Sequence, residues 1–228
     1  MRASLLSLLI LLGPGPAWAQ DDPADPLEPL NRAVHAFNEA VDEAVLLPLA
    51  KGYRAITPGF VQAGVRNFFS NLDDVRVLAN DLLQARLQDG ATDLMRVAVN
   101  STFGLFGVFD VAAEMGLRKN RNDFGLTLGR WGVPGGPYLV LPFFGPSSLR
   151  DGIGLFVDYV YLDPARHLDP VGPRNRLYAL RVVSGRSDLI EAKAAVDMAA
   201  LDGYEFARDF YLERRRVQLG QPPRQEEP

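Results

Sequence analysis

Apolar and polar positions follow a helical period along most of the chain. Leu30, Val34, Phe37, Val41 and Val45 recur at spacings of three and four, the stripe of an amphipathic helix that Pro48 ends or bends. Thr57-Pro58 starts a second helix, with Pro in the first turn, where a missing N–H costs nothing. Phe60, Val61, Val65, Phe68 and Phe69 follow. Asn71 or Asp73 is placed to cap a third helix. That helix is expected to turn Val75, Leu78, Leu82 and Leu83 inward and Arg76, Asp81 and Arg86 outward, and to stop at Gly90. Another helix is expected over residues 91–100.

The period breaks in two places. Residues 102–113, with Phe103, Gly104, Phe106, Gly107 and Phe109, are apolar on all sides, as in a helix that is deeply buried or faces lipid. Residues 116–130 read as a polar loop ending in Phe124-Gly125-Leu126-Thr127-Leu128-Gly129. Residues 132–148, GVPGGPYLVLPFFGPSS, carry no charge and combine Gly/Pro turn signals with an apolar centre. Ser147 or Ser148 then caps a helix, Ser148 and Asp151 forming a capping box with Asp in place of Glu. Leu149, Ile153, Phe156, Val157 and Val160 are its stripe. Asp163-Pro164 and Asp169-Pro170 mark turns. A helix over 175–183 follows, then a longer one from Ser187 or Asp188 to Val217, interrupted at Gly203. Its acidic start and Arg214-Arg215-Arg216 end suit the helix dipole. No alternating run is long enough for a sheet, so the expected fold is all-α.

Composition narrows the setting. The chain has 228 residues, 47% of them apolar, enough for a sizeable core. A net charge of −4 argues against nucleic acid as a partner, because phosphate binding needs a basic face. The absence of cysteine excludes disulfides, thiolate metal sites and thiol nucleophiles. Arg2, the apolar run 5–12, the Gly/Pro break at 13–16 and Ala17-Trp18-Ala19 have the form of a cleaved export signal rather than a retained anchor. The expected organisation is a signal peptide over 1–19, an extended acidic arm over 20–29, a helical domain over 30–217 and a disordered tail over 218–228. An exported chain of this kind suits a bacterial envelope.

Candidate chemistry is sparse. His35 has only Glu39 as a near acidic neighbour, and His167 lies in a Pro-rich turn, so no metal site is expected. Gly145-Pro146-Ser147-Ser148-Leu149 lacks the final glycine of a nucleophile elbow. Gly132–Gly136 lacks the Lys and Ser/Thr of a phosphate loop. Asn100-Ser101-Thr102 matches a glycosylation sequon by pattern alone. Arg214-Arg215-Arg216 is a solvated helix end or a contact for anionic lipid heads. No catalytic residues and no cofactor are expected, and the chain is not read as an enzyme. Its unusual property is apolar surface over 102–113 and 131–149.

Several blocks together resemble one family. Asp25-Pro26-Leu27-Glu28-Pro29-Leu30-Asn31-Arg32 with Phe37-Asn38 is similar to its opening signature. Val65-Arg66-Asn67-Phe68-Phe69-Ser70-Asn71-Leu72 is similar to its second block, and Asn100 to Ala112, with Gly104, Gly107 and Phe109-Asp110-Val111-Ala112, to its third. Phe124 to Gly129, with Gly136-Pro137-Tyr138 and Leu149-Arg150-Asp151, is similar to its fourth. In order and spacing these resemble the MlaA/VacJ family of outer-membrane proteins over about residues 25–160, and more weakly over 204–215.

The resemblance implies a ring of helices in the inner leaflet of the outer membrane, around a central amphipathic channel. It implies removal of mislocalised phospholipids from the outer leaflet, hand-over to a periplasmic lipid carrier of the Mla type, association with a trimeric outer-membrane porin, and maintenance of lipid asymmetry. Pro137, Tyr138, Leu139, Leu141, Pro142, Phe143 and Phe144 are then expected in a hairpin-like loop beside the channel, as gate or wall. Phe103, Gly104, Phe106, Gly107 and Phe109 are expected to face the membrane. Many members carry a lipobox cysteine that this sequence does not, so localisation at the periplasmic side of the outer membrane is expected without a cysteine-borne lipid. The alternative is a soluble periplasmic binding or scaffold protein whose apolar segments are only core.

Overall fold

The computed structural model describes residues 25–222. The expected signal peptide, residues 20–24 of the arm and residues 223–228 of the tail lie outside the described residues.

The chain opens with α1 (Glu28–Val41), a π-turn (Asp42–Leu46) and α2 (Leu47–Ile56). Helix α1 thus starts within the stretch expected to be an extended arm. Pro48 does not end the segment. Leu47 N–H reaches back five residues to the Asp42 carbonyl, and this wide turn resets the ladder just ahead of a proline that has no N–H to give. Pro58 then precedes α3 (Gly59–Leu83), a single helix of 25 residues. Asn71 and Asp73 lie inside it and are not caps. Ala85, in left-handed conformation (φ 57°), makes the turn into α4 (Leu87–Thr102), so Gly90 lies within a helix rather than stopping one. Gly90 lets α4 lie close to α3: a Cβ there would come within 3.1 Å of Leu82 Cδ2.

Residues 103–110 correct the expectation of an apolar helix. They form turns in which Leu105, Phe106 and Gly107 all have positive φ, leading to the one-turn α5 (Val111–Glu114) capped by Asp110. The stretch read as a polar loop ends in α6 (Phe124–Arg130), capped by Asp123 through the Leu126 N–H. Next comes an antiparallel hairpin, β1 (Tyr138–Leu141) with β2 (Gly145–Ser148), in the register Tyr138↔Ser148 and Leu141↔Gly145. Its four-residue strands are too short to register as alternation, yet Tyr138 and Val140 turn inward while Leu139 and Leu141 are less buried. It is the only sheet among the described residues, and the fold is all-α.

Ser148 caps α7 (Leu149–Val157) by accepting from the Asp151 N–H at 3.2 Å. The Asp151 carboxylate bonds to Arg150, Tyr211 and Arg215 instead of completing a capping box. A π-turn (Asp158–Leu162) and a 3₁₀ turn (Pro164–His167) lead to α8 (Val171–Asp188), longer than expected at both ends. The last expected helix is two, α9 (Ile190–Ala199) and α10 (Gly203–Gln218), the second capped by Asp202. Helices α6 and α7 cross at glycines: a Cβ on Gly154 would fall onto the Gly125 backbone nitrogen.

The distribution of polarity is the reverse of a water-soluble fold. The largest fully buried side chains are Arg96, Asn31, Asn80, Thr127, Asp74, Asp81 and Asp93, all polar. On α3 the buried positions are mainly Asn71, Asp74, Asn80 and Asp81, while Leu82 and Leu83 are exposed. The expected assignment of faces on this helix is therefore wrong for Leu82, Leu83 and Asp81. Leu30 and Phe37 on α1, Leu94 and Met95 on α4, and Leu149, Ile153 and Phe156 on α7 also point out. Full burial of such a side chain is worth about 1.5–3 kcal/mol, and each of these, roughly half exposed, forgoes a corresponding part of it in water. Apolar area on this scale marks a surface that meets another apolar phase or partner. No helix among the described residues is long and apolar enough to cross a membrane.

Candidate functional site

Polar side chains from α3, the N-cap of α6, α7, the π-turn after α7 and its end, α8 and α10 converge on a cavity of about 400 Å³, within the ~300–1,000 Å³ typical of ligand sites. Arg76, Asp123, Asp151, Asp158, Asp163, Tyr178, Arg181 and Arg215 form its polar wall, and Phe144, Leu155, Tyr159 and Val182 its apolar wall. A smaller space of about 140 Å³ shares Phe144, Asp151, Leu155 and Arg215 with it and adds the hairpin residues Leu141, Pro146 and Ser147 and Tyr211. One lining is thus amphipathic and runs from the hairpin to α8.

The charges in this wall are paired. Arg76 Nη1 lies 3.3 Å from Asp158 Oδ2, and Arg181 Nη1 lies 3.0 Å from Asp163 Oδ2. Arg215 bridges Asp123 (2.6 Å) and Asp151 (2.9 Å). Asp158 also accepts from Asn80 Nδ2 (2.9 Å) and the Phe124 N–H (2.9 Å). Burial nevertheless pushes its carboxyl above the usual range, the charge of Arg76 offsetting this only in part. Asp151 goes the other way. Burial opposes its ionisation, but Arg150, Arg215 and Tyr211 outweigh it and hold the carboxyl below the usual range. Burial and the Asp151 charge push the Tyr211 hydroxyl up to about 12, so it stays a donor.

A second polar network ties α3 to α4. Arg96, buried, reaches Asp74 (3.0 Å), Asp110 (3.0 Å) and the Leu117 carbonyl (2.8 Å). Asn100 donates to Asp110 at 2.9 Å and accepts from the Ala112 N–H at 2.8 Å, which fixes the 103–110 turn. Nearby Asp81 and Asp93 each keep one buried carboxylate oxygen without a partner. Burial and the Asp81 carboxyl push Asp93 up to about 7.

The hairpin hangs on α1. Asn31 and Asn38, two turns apart on one face, each pair with the backbone of the hairpin. Asn31 accepts from the Val140 N–H (2.8 Å) and donates to the Tyr138 carbonyl (3.0 Å). Asn38 accepts from the Phe143 N–H (2.8 Å) and donates to the Leu141 carbonyl (3.0 Å). Phe37 sets its ring against Phe143 at 5.4 Å, edge to face. Arg32 joins α1 to α10 through Asp202 (2.8 Å) and covers the Tyr204 ring.

Among the expected loop residues, Pro137, Pro142, Phe143 and Phe144 are exposed, and Phe144 lies at the cavity. Leu139 and Leu141 are half-buried, Leu141 beside the smaller space. Tyr138 is buried against Tyr204 and Tyr211, inside rather than on an open wall. In the apolar segment Phe103, Phe106 and Phe109 are exposed, whereas Gly104 and Gly107 are buried and do not face outward. A Cβ on Gly107 would lie 2.5 Å from Asn71 Cβ, and one on Gly104 would strike the Phe109 carbonyl oxygen. Asn67 donates to the Val108 carbonyl (3.2 Å), and Phe68 packs on Phe69. Arg150 and Asp151 are buried together, 2.8 Å apart.

Sequence reasoning missed most of the polar interior: Asp74, Asn80, Asp93, Arg96 and the cavity pairs. Asp89, Asp93, Arg96 and Asn100 on α4 and Asn67, Asn71 and Asp74 on α3 recur at helical spacing. That polar stripe was readable, but it reads as a solvated face unless the apolar stripe opposite is allowed to be the outside. Arg215, expected at a solvated or lipid-touching helix end, instead anchors the cavity wall.

Fold and site define a helical protein with an apolar exterior and a polar-lined interior. The MlaA lipoprotein family matches residues 23–218, and the chain belongs to that family. Among its relatives is an uncharacterised protein of Rickettsia felis, 41% identical over 140 residues, which are 61% of this chain and 56% of that one. The chain thus spans about half the length of that relative. The intermembrane phospholipid transport system lipoprotein MlaA of Escherichia coli K12 is 31% identical over 221 residues, covering 94% of this chain and 87% of that one. The protein of the same name in Shigella flexneri matches to the same extent. A solved structure from work on the maintenance of bacterial outer-membrane lipid asymmetry superposes with a TM-score of 0.74 at 28% identity, covering 86% of this chain and 99% of that one.

Proposed function

We propose that this chain is a phospholipid-transport component of the outer membrane: it takes mislocalised phospholipids from the outer leaflet and passes them toward a periplasmic carrier, so maintaining lipid asymmetry. The observation that carries this reading is the inverted polarity, a polar-lined cavity inside a helical body whose large apolar side chains point out. A phospholipid head crossing hydrocarbon is costly without polar partners, and a protein-enclosed polar path removes that cost. Backbone at membrane depth has to be paired within the protein: at 103–110 the Phe106, Gly107 and Phe109 N–H groups donate to the carbonyls of Ser101, Asn100 and Gly104, and the hairpin pairs with itself and with Asn31 and Asn38. The relatives named for intermembrane phospholipid transport support the same reading.

In this reading residues 30–217 are the working unit, a ring around the cavity. The exposed Phe103, Phe106 and Phe109 sit among acyl chains, and Phe143 and Phe144 stand at the entrance to the path. A carrier of the Mla type and a trimeric porin are the partners, and the protein acts without catalysis or cofactor. A soluble scaffold with an apolar core fits poorly, because the phenylalanines of the two apolar segments, Phe103, Phe106, Phe109, Phe143 and Phe144, lie on the surface, and only Tyr138 and Val140 of the hairpin join a buried cluster. Washing outer membranes with high salt tests the membrane assignment. The mature protein is expected to stay with the membrane, and full release would refute it.

A further inference from the structure

The three guanidiniums of the cavity are mounted alike. Each has a buried carboxylate beside it: Arg76 pairs with Asp158, 5% exposed; Arg181 with Asp163, 8%; Arg215 with Asp151, 3%. The arginine side chains stay more open, at 25%, 27% and 19%. Arg76 and Arg181 are neighbours, since both also pair with Asp73. Arg215 belongs to the lining of both spaces, so it stands between the hairpin side and the Arg76–Arg181 side. Resting on the transport reading, we infer that Arg215, Arg76 and Arg181 form a phosphate relay, which recognises the phosphodiester common to glycerophospholipids rather than the group esterified to it.

The chemistry favours this division of labour. A guanidinium offers a planar fork that matches two phosphate oxygens. The buried carboxylates hold the forks in place before the lipid arrives, so little ordering is left to be done on binding. They also neutralise the charge, so a phosphate is held weakly enough to move on, as a conducting path requires. Leu155 and Phe144, shared by both spaces, offer apolar surface for the glycerol end of the acyl chains.

The test uses the purified full chain in mild detergent and native mass spectrometry. The probes are phosphatidylethanolamine, phosphatidylglycerol and diacylglycerol with identical acyl chains, and tail-free glycerophosphoethanolamine as competitor. The two phospholipids should bind within about threefold of each other and diacylglycerol at least tenfold more weakly, with the tail-free competitor ineffective. Joint Arg181→Gln and Asp163→Asn, which removes the buried charge together with its partner, should weaken both phospholipids about tenfold and leave diacylglycerol unchanged. Arg76→Lys keeps the charge beside Asp158 but loses the fork, and should weaken both severalfold even if the double variant does not fold. The relay is overturned if diacylglycerol binds as well as the phospholipids, if Arg76→Lys binds like wild type, if only the anionic lipid is lost, or if glycerophosphoethanolamine competes as well as lipid. If the wild-type chain binds no lipid at all, the transport reading itself fails.

Discussion

The side-chain amide of Asn31 stands in for a β-strand, accepting from the Val140 N–H at 2.8 Å and donating to the Tyr138 carbonyl at 3.0 Å. A two-stranded hairpin is marginal alone and leaves one edge of each strand unpaired. Here α1 supplies the missing partner through side chains, and thereby sets where Phe143 and Phe144 stand. Asn31→Leu keeps the branching of the side chain and removes the bonds, leaving two buried backbone groups unpaired. Stability should fall by about 2–6 kcal/mol, since each of the two orphaned groups costs about 1–3. Chemical denaturation in detergent checks this, and a loss under about 0.5 kcal/mol would contradict it. Asn38→Ala, nearer the exposed tip, should cost less than Asn31→Leu.

The turn at 103–110 depends on glycine for space as well as for backbone. Gly107 has φ 92° and lies against Asn71, whereas Gly116, at φ 76°, has open space around it. Gly116→Ala should therefore cost only the conformational penalty, about 1–2 kcal/mol. Gly107→Ala adds a clash inside the polar network and should cost at least about 1 kcal/mol more. Equal thermal midpoints for the two variants would show that Asn71 gives way freely.

Arg96 holds two carboxylates, Asp74 and Asp110, in the seam between α3 and the 103–110 turn. Arg96→Met leaves a buried Asp74 with Lys119 as its remaining cation, and should destabilise by about 3–5 kcal/mol. Adding Asp74→Asn to that variant should recover part of the loss. A double variant no more stable than Arg96→Met would argue that the ion pair is not what links these elements.

Asp93 makes stability depend on pH. Burial and the Asp81 carboxyl place it near 7 in the folded chain, against an ordinary value of 3.8. Between those values the folded chain keeps a proton that the unfolded chain has released, so this group's contribution is full below about pH 4 and is lost as pH rises to about 7. Asp93→Asn removes that slope. Its denaturation midpoint should change less between pH 5 and pH 8 than that of wild type, and an identical pH dependence would contradict the assignment.

Helices were legible in the sequence because their period is local. The stripe of Leu149, Ile153 and Phe156, with a cap at Ser147 or Ser148, located the start of α7 to within a residue, while Val160 of that stripe falls in the π-turn beyond its end. Which face points inward was not legible, because periodicity gives the same signal for a helix in water and one in lipid. Hence Leu82 and Leu83 were assigned to the core and Asp81 to the surface, the reverse of what is observed. The hairpin was hidden for a different reason: its pairing partner is a helix side chain 107 residues away in sequence from Tyr138. Asn31, Arg32, Asn38 and Arg150 stand out only through family resemblance, and Asp151 also as the acidic partner of the Ser148 cap; their geometry now gives them mechanical roles.

The central claim is that the apolar exterior meets lipid while the cavity meets water and polar heads. Leu155 and Phe156 are adjacent on α7, the first lining both spaces and the second pointing outward. Because the sequence contains no cysteine, Leu155→Cys and Phe156→Cys can each carry a single fluorescent label without further changes. In vesicles, nitroxide-bearing phospholipid should quench the label at 156 and aqueous iodide the label at 155. Iodide quenching at 156 with no effect of the nitroxide lipid there would contradict the claim.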